Sequence, residues 1–172
     1  WRSDPDGRQQ MITIAGPGEL VSVLSLRSGA PPVDLIGLDG GTAALWPGDL
    51  VMSLAQVDAG LAVGLLDRAL TSATRLLNRL QHMTFDSVSR RVAMILWMRR
   101  ELLFDERRPL LSRPQLADLA GTSREMAGRV IRDFEQRGLI ARLGATGLVL
   151  LDPSGLRAAA GIDETATDHP NR

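Results

Sequence analysis

Short apolar runs alternate with turn signals over residues 7–55, in the blocks GRQQMITIAGPGE, LVSVLSL, RSGAPP, VDLIGLDGG and TAALWPGD. Glycine and proline clusters recur at roughly ten-residue intervals with β-branched and leucine runs between them, which predicts a small antiparallel β domain, part of a roll or barrel. From about Leu50 the period changes. Val63, Leu66, Leu70, Ala73, Leu77 and Leu80 follow steps of three and four, the spacing of a helix that pairs with another helix. Leu61, Leu65 and Leu76 widen the apolar arc, so that one side can lie on the β domain while the other meets the same helix of a second subunit. Packing on its own β domain alone explains the stripe equally well.

The periodicity restarts near Thr84-Phe85-Asp86, with Thr84 as the cap, and Val88, Val92, Ile95, Leu96 and Leu102 mark a helix to about Phe104. A polar break, Asp105 to Pro109, leads into LSRPQLADLAGTSREMAGR, which contains two capped helix starts. Ser112 stands three residues before Gln115, and Thr122 three before Glu125, each in the form of a capping box. Two short helices therefore meet at an angle near Gly121. Leu139–Leu143 and Leu148–Leu151 around Gly144-Ala145-Thr146-Gly147 read as a β hairpin. Asp152-Pro153 caps a last helix through Leu156, and the polar end after Gly161 is expected to be loose. The expected fold class is α+β, with a partial β-roll over 1–55, a long helix over 56–84, a winged helix-turn-helix domain over 85–157 and a tail over 158–172.

Zero formal net charge hides a gradient. Residues 1–85 carry 6 Arg against 8 acids, residues 86–157 carry 13 against 9, and residues 158–172 carry 1 against 3. The basic excess thus falls on the paired-helix segment. Every cation is an arginine, and there is no cysteine to form a disulfide, a thiolate metal site or an iron-sulfur cluster. No apolar run is long enough for a membrane span, and the first residues have no signal-peptide character, so a cytoplasmic protein without membrane contact is expected. The chain opens on Trp1 rather than Met, which implies a further N-terminal piece.

On a helical wheel from Ser123, Arg124, Glu125, Arg129, Arg132 and Asp133 fall on one side with Gly128, while Met126, Ala127, Val130, Ile131 and Phe134 fill the other. Such a wheel by itself also suits a solvated surface helix with internal Arg and Glu pairs. A short helix, a glycine turn, a second helix polar at its N-terminal end and then a hairpin compose a winged helix-turn-helix, whose second helix enters the major groove. Arg124 and Arg129 suit the O6 and N7 of guanine, and Glu125 a cytosine amino group. Ser112, Arg113, Ser123 and Arg132 suit backbone phosphates, which set register without reading sequence.

Ser123-Arg124-Glu125 with Arg129, and Leu111-Ser112-Arg113 through Gly121, resemble the recognition helix and the preceding helix of the Crp/Fnr transcription regulators, the cyclic AMP receptor protein class. The resemblance runs from about Gly7 to Leu156. It implies a homodimer joined through the long helix at Val63, Leu66, Leu70, Ala73, Leu77 and Leu80, and a β domain that acts as sensor. It also implies base reading by Arg124, Glu125 and Arg129 on a palindromic double-stranded DNA operator, with RNA polymerase as partner.

The chain departs from that family in its sensor. Gly16-Pro17-Gly18-Glu19 looks like the turn of the cyclic-nucleotide cassette, and Ser22-Val23 and Pro32-Val33 then fall where Gly-Glu and Arg-Ser are expected. A register shifted by about four residues would use Gly18-Glu19 and Arg27-Ser28 instead. In the unshifted register a buried cyclic phosphate would lack its arginine, which argues against the usual binding of cyclic AMP. The family's adenine-contacting Thr-Ser pair falls on Leu76-Leu77, with Thr71, Ser72 and Thr74 about one turn earlier. His82-Met83 offers two haem ligand types, though a lone His near a helix end also suits the surface. The effector and cofactor are therefore unassigned, and no metal site is expected. No phosphate loop, HExxH or GxSxG is present, and His82 and His169 are the only histidines, so no catalytic residue is expected. The competing reading is a degenerate sensor and helix module that acts mainly through protein contacts.

Overall fold

The computed structural model describes residues 2–3, 9–28, 34–104, 111–143 and 147–162. The chain divides into two compact units, residues 1–82 and 83–172. The described residues are mostly helical, with two small antiparallel sheets.

In the first unit, β1 (Arg2–Ser3) pairs with β2 (Gln9–Gln10), followed by α1 (Ser25–Ser28), α2 (Gly48–Val57) and most of α3 (Ala59–Phe85). The described residues do not show the β-roll expected over 7–55: between Met11 and Pro47 they contain no strand, and α1 occupies part of the LVSVLSL run. A strand needs a neighbour to take its backbone groups. Here the chain turns on itself instead, with the Ser22 carbonyl accepting from Ser25 N at 2.8 Å and from Ser25 Oγ at 2.6 Å. Asp58 separates α2 from α3, and its Oδ1 accepts from Leu61 N at 3.0 Å. Two arginines of α3 reach back to the N-terminal segment. Arg79 Nη1 donates to the Ile12 carbonyl at 2.7 Å, and Arg75 Nη1 lies 3.5 Å from Glu19 Oε1. Burial holds the Arg79 guanidinium below its usual pKa.

The second unit contains the end of α3, then α4 (Val88–Met98), α5 (Arg100–Leu103), α6 (Arg113–Ala120), α7 (Arg124–Gln136), β3 (Ile140–Leu143), β4 (Gly147–Leu150) and α8 (Pro153–Ala159). The expected cap at Thr84 is corrected to Ser87. Thr84 is still inside α3, whereas Ser87 is extended (φ −62°, ψ 156°) and its Oγ accepts from Arg90 N at 3.2 Å. The hairpin pairs Ile140 with Leu150 and Leu143 with Gly147, close to the expected bounds. The polar break at 105–109 and the turn residues 144–146 lie outside the described residues.

Among the described residues, every buried apolar side chain except Met11 lies between Val92 and Ala160. The core forms where α4 packs on α6, α7 and α8, around fully buried Leu96, Leu116, Ile131, Phe134 and Leu156. Trp97 anchors the outer edge, with the Arg100 guanidinium 5.0 Å and the Arg157 guanidinium 5.9 Å from its ring centre. Asp152 caps α8 through a 2.9 Å bond from Gly155 N, and the Ser154 hydroxyl beside it, with that amide, keeps its carboxyl below the usual pKa.

The first of the two expected capping boxes is complete. Gln115 N donates to Ser112 Oγ at 3.4 Å, and Ser112 N donates to Gln115 Oε1 at 2.8 Å. Ser112→Ala is expected to lower stability by about 1 kcal/mol, seen as a lower urea midpoint at unchanged slope. An unchanged midpoint would show that the box adds nothing beyond solvation of the helix end.

Candidate nucleic-acid interface

The joint between α6 and α7 is built from one glycine. Gly121 adopts φ +58°, and its N–H donates to the Asp118 carbonyl at 3.1 Å while Thr122 N donates to the Ala117 carbonyl at 3.1 Å. This pair of bonds is a Schellman closure, which needs a left-handed residue at the position of Gly121. The closure also explains why the second cap is Ser123 rather than Thr122, a correction of one residue. The Thr122 backbone is committed to ending α6, so the first extended residue is Ser123 (φ −73°, ψ 156°), whose Oγ accepts from Met126 N at 3.1 Å.

From that cap, α7 presents two unlike faces. Ala127, Val130, Ile131 and Phe134 are buried, whereas Ser123, Arg124, Glu125, Arg129 and Arg132 are exposed. Among the described residues no hydrogen bond or ion pair holds the guanidinium of Arg124, Arg129 or Arg132. The Glu125 carboxyl lies below its usual pKa because of its own backbone N–H, then the Ser123 hydroxyl, with Arg124 and Arg129 adding to the effect. It is therefore ionised and an acceptor at neutral pH. Asp118 moves the other way, raised by burial and partly offset by Arg124.

At the start of α6, Ser112 is exposed and Arg113 half-buried. Arg113 Nε and Nη2 are buried with no hydrogen-bond partner, an arrangement that folded proteins rarely leave unexplained. The residues expected to meet DNA thus lie at the start of α6 (Ser112, Arg113) and along α7 (Ser123, Arg124, Glu125, Arg129, Arg132), two helices packed on each other. Three features outside the expected set also shape the site. Glu135 Oε1 of α7 takes Arg142 Nε of β3 at 2.6 Å, which ties the hairpin to the second helix. Met83 lies against Gly121, and Arg91 donates to the carbonyls of the turn. Local sequence signals neither the Met83 nor the Arg91 pairing, because both join elements far apart along the chain, whereas Glu135 and Arg142 stand on consecutive elements.

The residues expected along a subunit seam lie in a row on α3. Val63, Leu66, Leu70, Leu77 and Leu80 are each between 59% and 65% exposed, and Ala73 is exposed with them. Of the cassette positions, Ser22 and Val23 are described and Pro32 and Val33 lie outside the described residues. Ser22 has φ +62°, unusual for a residue with a Cβ, and its Oγ is buried without a partner. Leu76 and Leu77 are exposed and offer no hydroxyl, while Ser72 Oγ donates to the Arg68 carbonyl at 2.8 Å. No group of His, Asp and Glu among the described residues could hold a metal ion, and none of their helices is long and apolar enough to cross a membrane.

Residues 90–159 match the model of the Crp-like helix-turn-helix domain. A structure assigned to the transcriptional regulators of the crp/fnr family, from Eubacterium rectale ATCC 33656, is similar at TM-score 0.57 and 18% identity, over 67% of this chain and 52% of that one. FixK2 from Bradyrhizobium japonicum is similar at TM-score 0.55 and 21% identity, over 70% of this chain and 60% of that one. The chain therefore spans little more than half the length of these two solved structures. No curated protein matches it.

Proposed function

We propose, from a C-terminal domain that belongs to the Crp-like helix-turn-helix family, that this chain is a sequence-specific DNA-binding transcription regulator of the Crp/Fnr type. The observation that carries the reading is the N-terminal half of α7, where Arg124, Glu125 and Arg129 stand exposed on a helix whose other face is sealed in the core. In a major groove, the two guanidiniums bind guanine edges and the ionised Glu125 accepts from cytosine. Ser112 supports the reading, since it stands exposed at the start of α6, where a backbone phosphate would meet the helix's first turn.

The partner set follows from the same reading. Two copies join through the exposed apolar row of α3 and place two recognition helices on a palindromic operator, with RNA polymerase as the protein partner. The protein acts in the cytoplasm and is not an enzyme. Residues 1–55 belong to a sensor of cyclic-nucleotide-binding type. In the unshifted register, with Ser22-Val23 and Pro32-Val33 at the cassette positions, no arginine meets a cyclic phosphate, and the effector is other than cyclic AMP held in the usual way.

Fluorescence anisotropy on a palindromic duplex with TGTGA-like half-sites, against a shuffled duplex, tests the assignment. Salt-sensitive binding that prefers the palindrome is expected. Equal binding to both, or none, would favour a module acting through protein contacts. Arg124→Ala is expected to weaken the palindrome complex by about 1–3 kcal/mol and to relax discrimination at one base pair, with a small effect on the shuffled duplex. An equal loss on both would contradict base reading by Arg124.

A further inference from the structure

The turn that presents α7 leaves the last carbonyls of α6 without helical partners, at the negative end of that helix. A single side chain from α4 meets them. Arg91 Nε donates to the Ala120 carbonyl at 2.8 Å and Nη2 to the Gly121 carbonyl at 3.4 Å, while Nη1 donates to the Asp86 carbonyl at 2.7 Å. Asp86 is the residue that follows α3. One planar guanidinium therefore joins the end of the long helix to the turn of the helix-turn-helix, a three-way fork that an ammonium cannot reproduce.

An apolar contact runs beside it. Met83, in the last turn of α3, lies so close to the Gly121 backbone that a Cβ on residue 121 would overlap its Sδ and Cε. The turn is thus held from the α3 side by a polar tie and a packed thioether. Ser123 caps α7 two residues later, and Arg124 follows immediately.

We propose that Arg91 is a positioning residue for DNA reading: with Met83 it holds the turn at Gly121, and so the capped start of α7, in one place within the second unit. The inference rests on the DNA-binding reading only for its consequence; the tie itself is a property of the free protein.

Arg91→Gln and Arg91→Lys in the full chain test this by two independent measurements. In the free protein, amide exchange at Gly121 and Thr122, whose N–H groups close the turn, is expected to accelerate about tenfold or more, as a charge-assisted tie is lost, while Ile131 and Phe134 keep their rates. With DNA, both variants are expected to lose about tenfold in preference for the palindrome over the shuffled duplex under conditions where they are fully folded. Exchange that is unchanged at the turn, or accelerated equally throughout the unit, would overturn the positioning role. So would faster turn exchange with intact discrimination, or full restoration by lysine. If Arg91→Gln fails to fold, Arg91→Lys alone carries both measurements. If the parent chain binds no duplex, the DNA assignment fails, and the exchange result still decides whether Arg91 holds the turn.

Discussion

Gly121→Ala is expected to destabilise the second unit by roughly 1–2 kcal/mol for a left-handed backbone with a Cβ, plus a smaller packing part, since the atoms the Cβ meets are the flexible end of Met83. Both contributions are visible at one residue, φ +58° and a Cβ position already filled by Met83. They can be separated. Met83→Ala opens the space without touching the backbone, so the double variant Met83→Ala/Gly121→Ala should recover the packing part and retain the backbone part. Urea unfolding of the four proteins gives the cycle. Additive losses in the double variant would mean that Met83 does not press on Gly121. A Gly121→Ala protein as stable as its parent would contradict the Schellman turn itself.

Leu77→Asp is expected to abolish the proposed dimer. Leu77 is 65% exposed in the single chain and stands in a row with Leu70 and Leu80. In a symmetric seam each Asp meets its own copy, and an uncompensated charge in such a place costs about 3–5 kcal/mol per subunit. Asn78→Asp is the control, since Asn78 lies eleven residues from Asp67 and so on the same polar side of α3. Sedimentation should show the parent and Asn78→Asp as dimers and Leu77→Asp as a monomer. An unchanged mass for Leu77→Asp would remove the seam, and operator affinity should fall with it because two half-sites would no longer be held together.

The second unit is the part most legible from residues alone, and the reason is that its signals are local. A Ser-x-x-Gln box, a glycine that ends one helix two residues before the next cap, an Asp-Pro start and an amphipathic helix each specify their own few residues. Even there, Thr122 and Ser123 compete as caps, and only the bonds that close α6 decide between them. Thr84 loses to Ser87 in the same way, because α3 runs on through Phe85. Residues 7–55 are harder to read. Strand formation depends on neighbours that periodicity cannot supply, and the described residues there meet their backbone needs by turns such as Ser22–Ser25. The exposed row on α3 follows its apolar spacing, yet spacing alone does not distinguish an intramolecular partner from a second copy. Arg91 was illegible for a different reason. An arginine beside Val92 on an amphipathic helix looks like a boundary residue, and its three carbonyl partners include two that lie about thirty positions away.

In the proposed function, duplex DNA touches the exposed N-terminal side of α7 and the start of α6. Guanidinium Nε–H signals of the full chain, recorded by NMR with and without the palindromic duplex, test it most directly. Arg124 and Arg129 are expected to shift on the palindrome and much less on a shuffled duplex, and Arg113 on both. Binding that leaves all three signals unmoved while other arginines respond would contradict it.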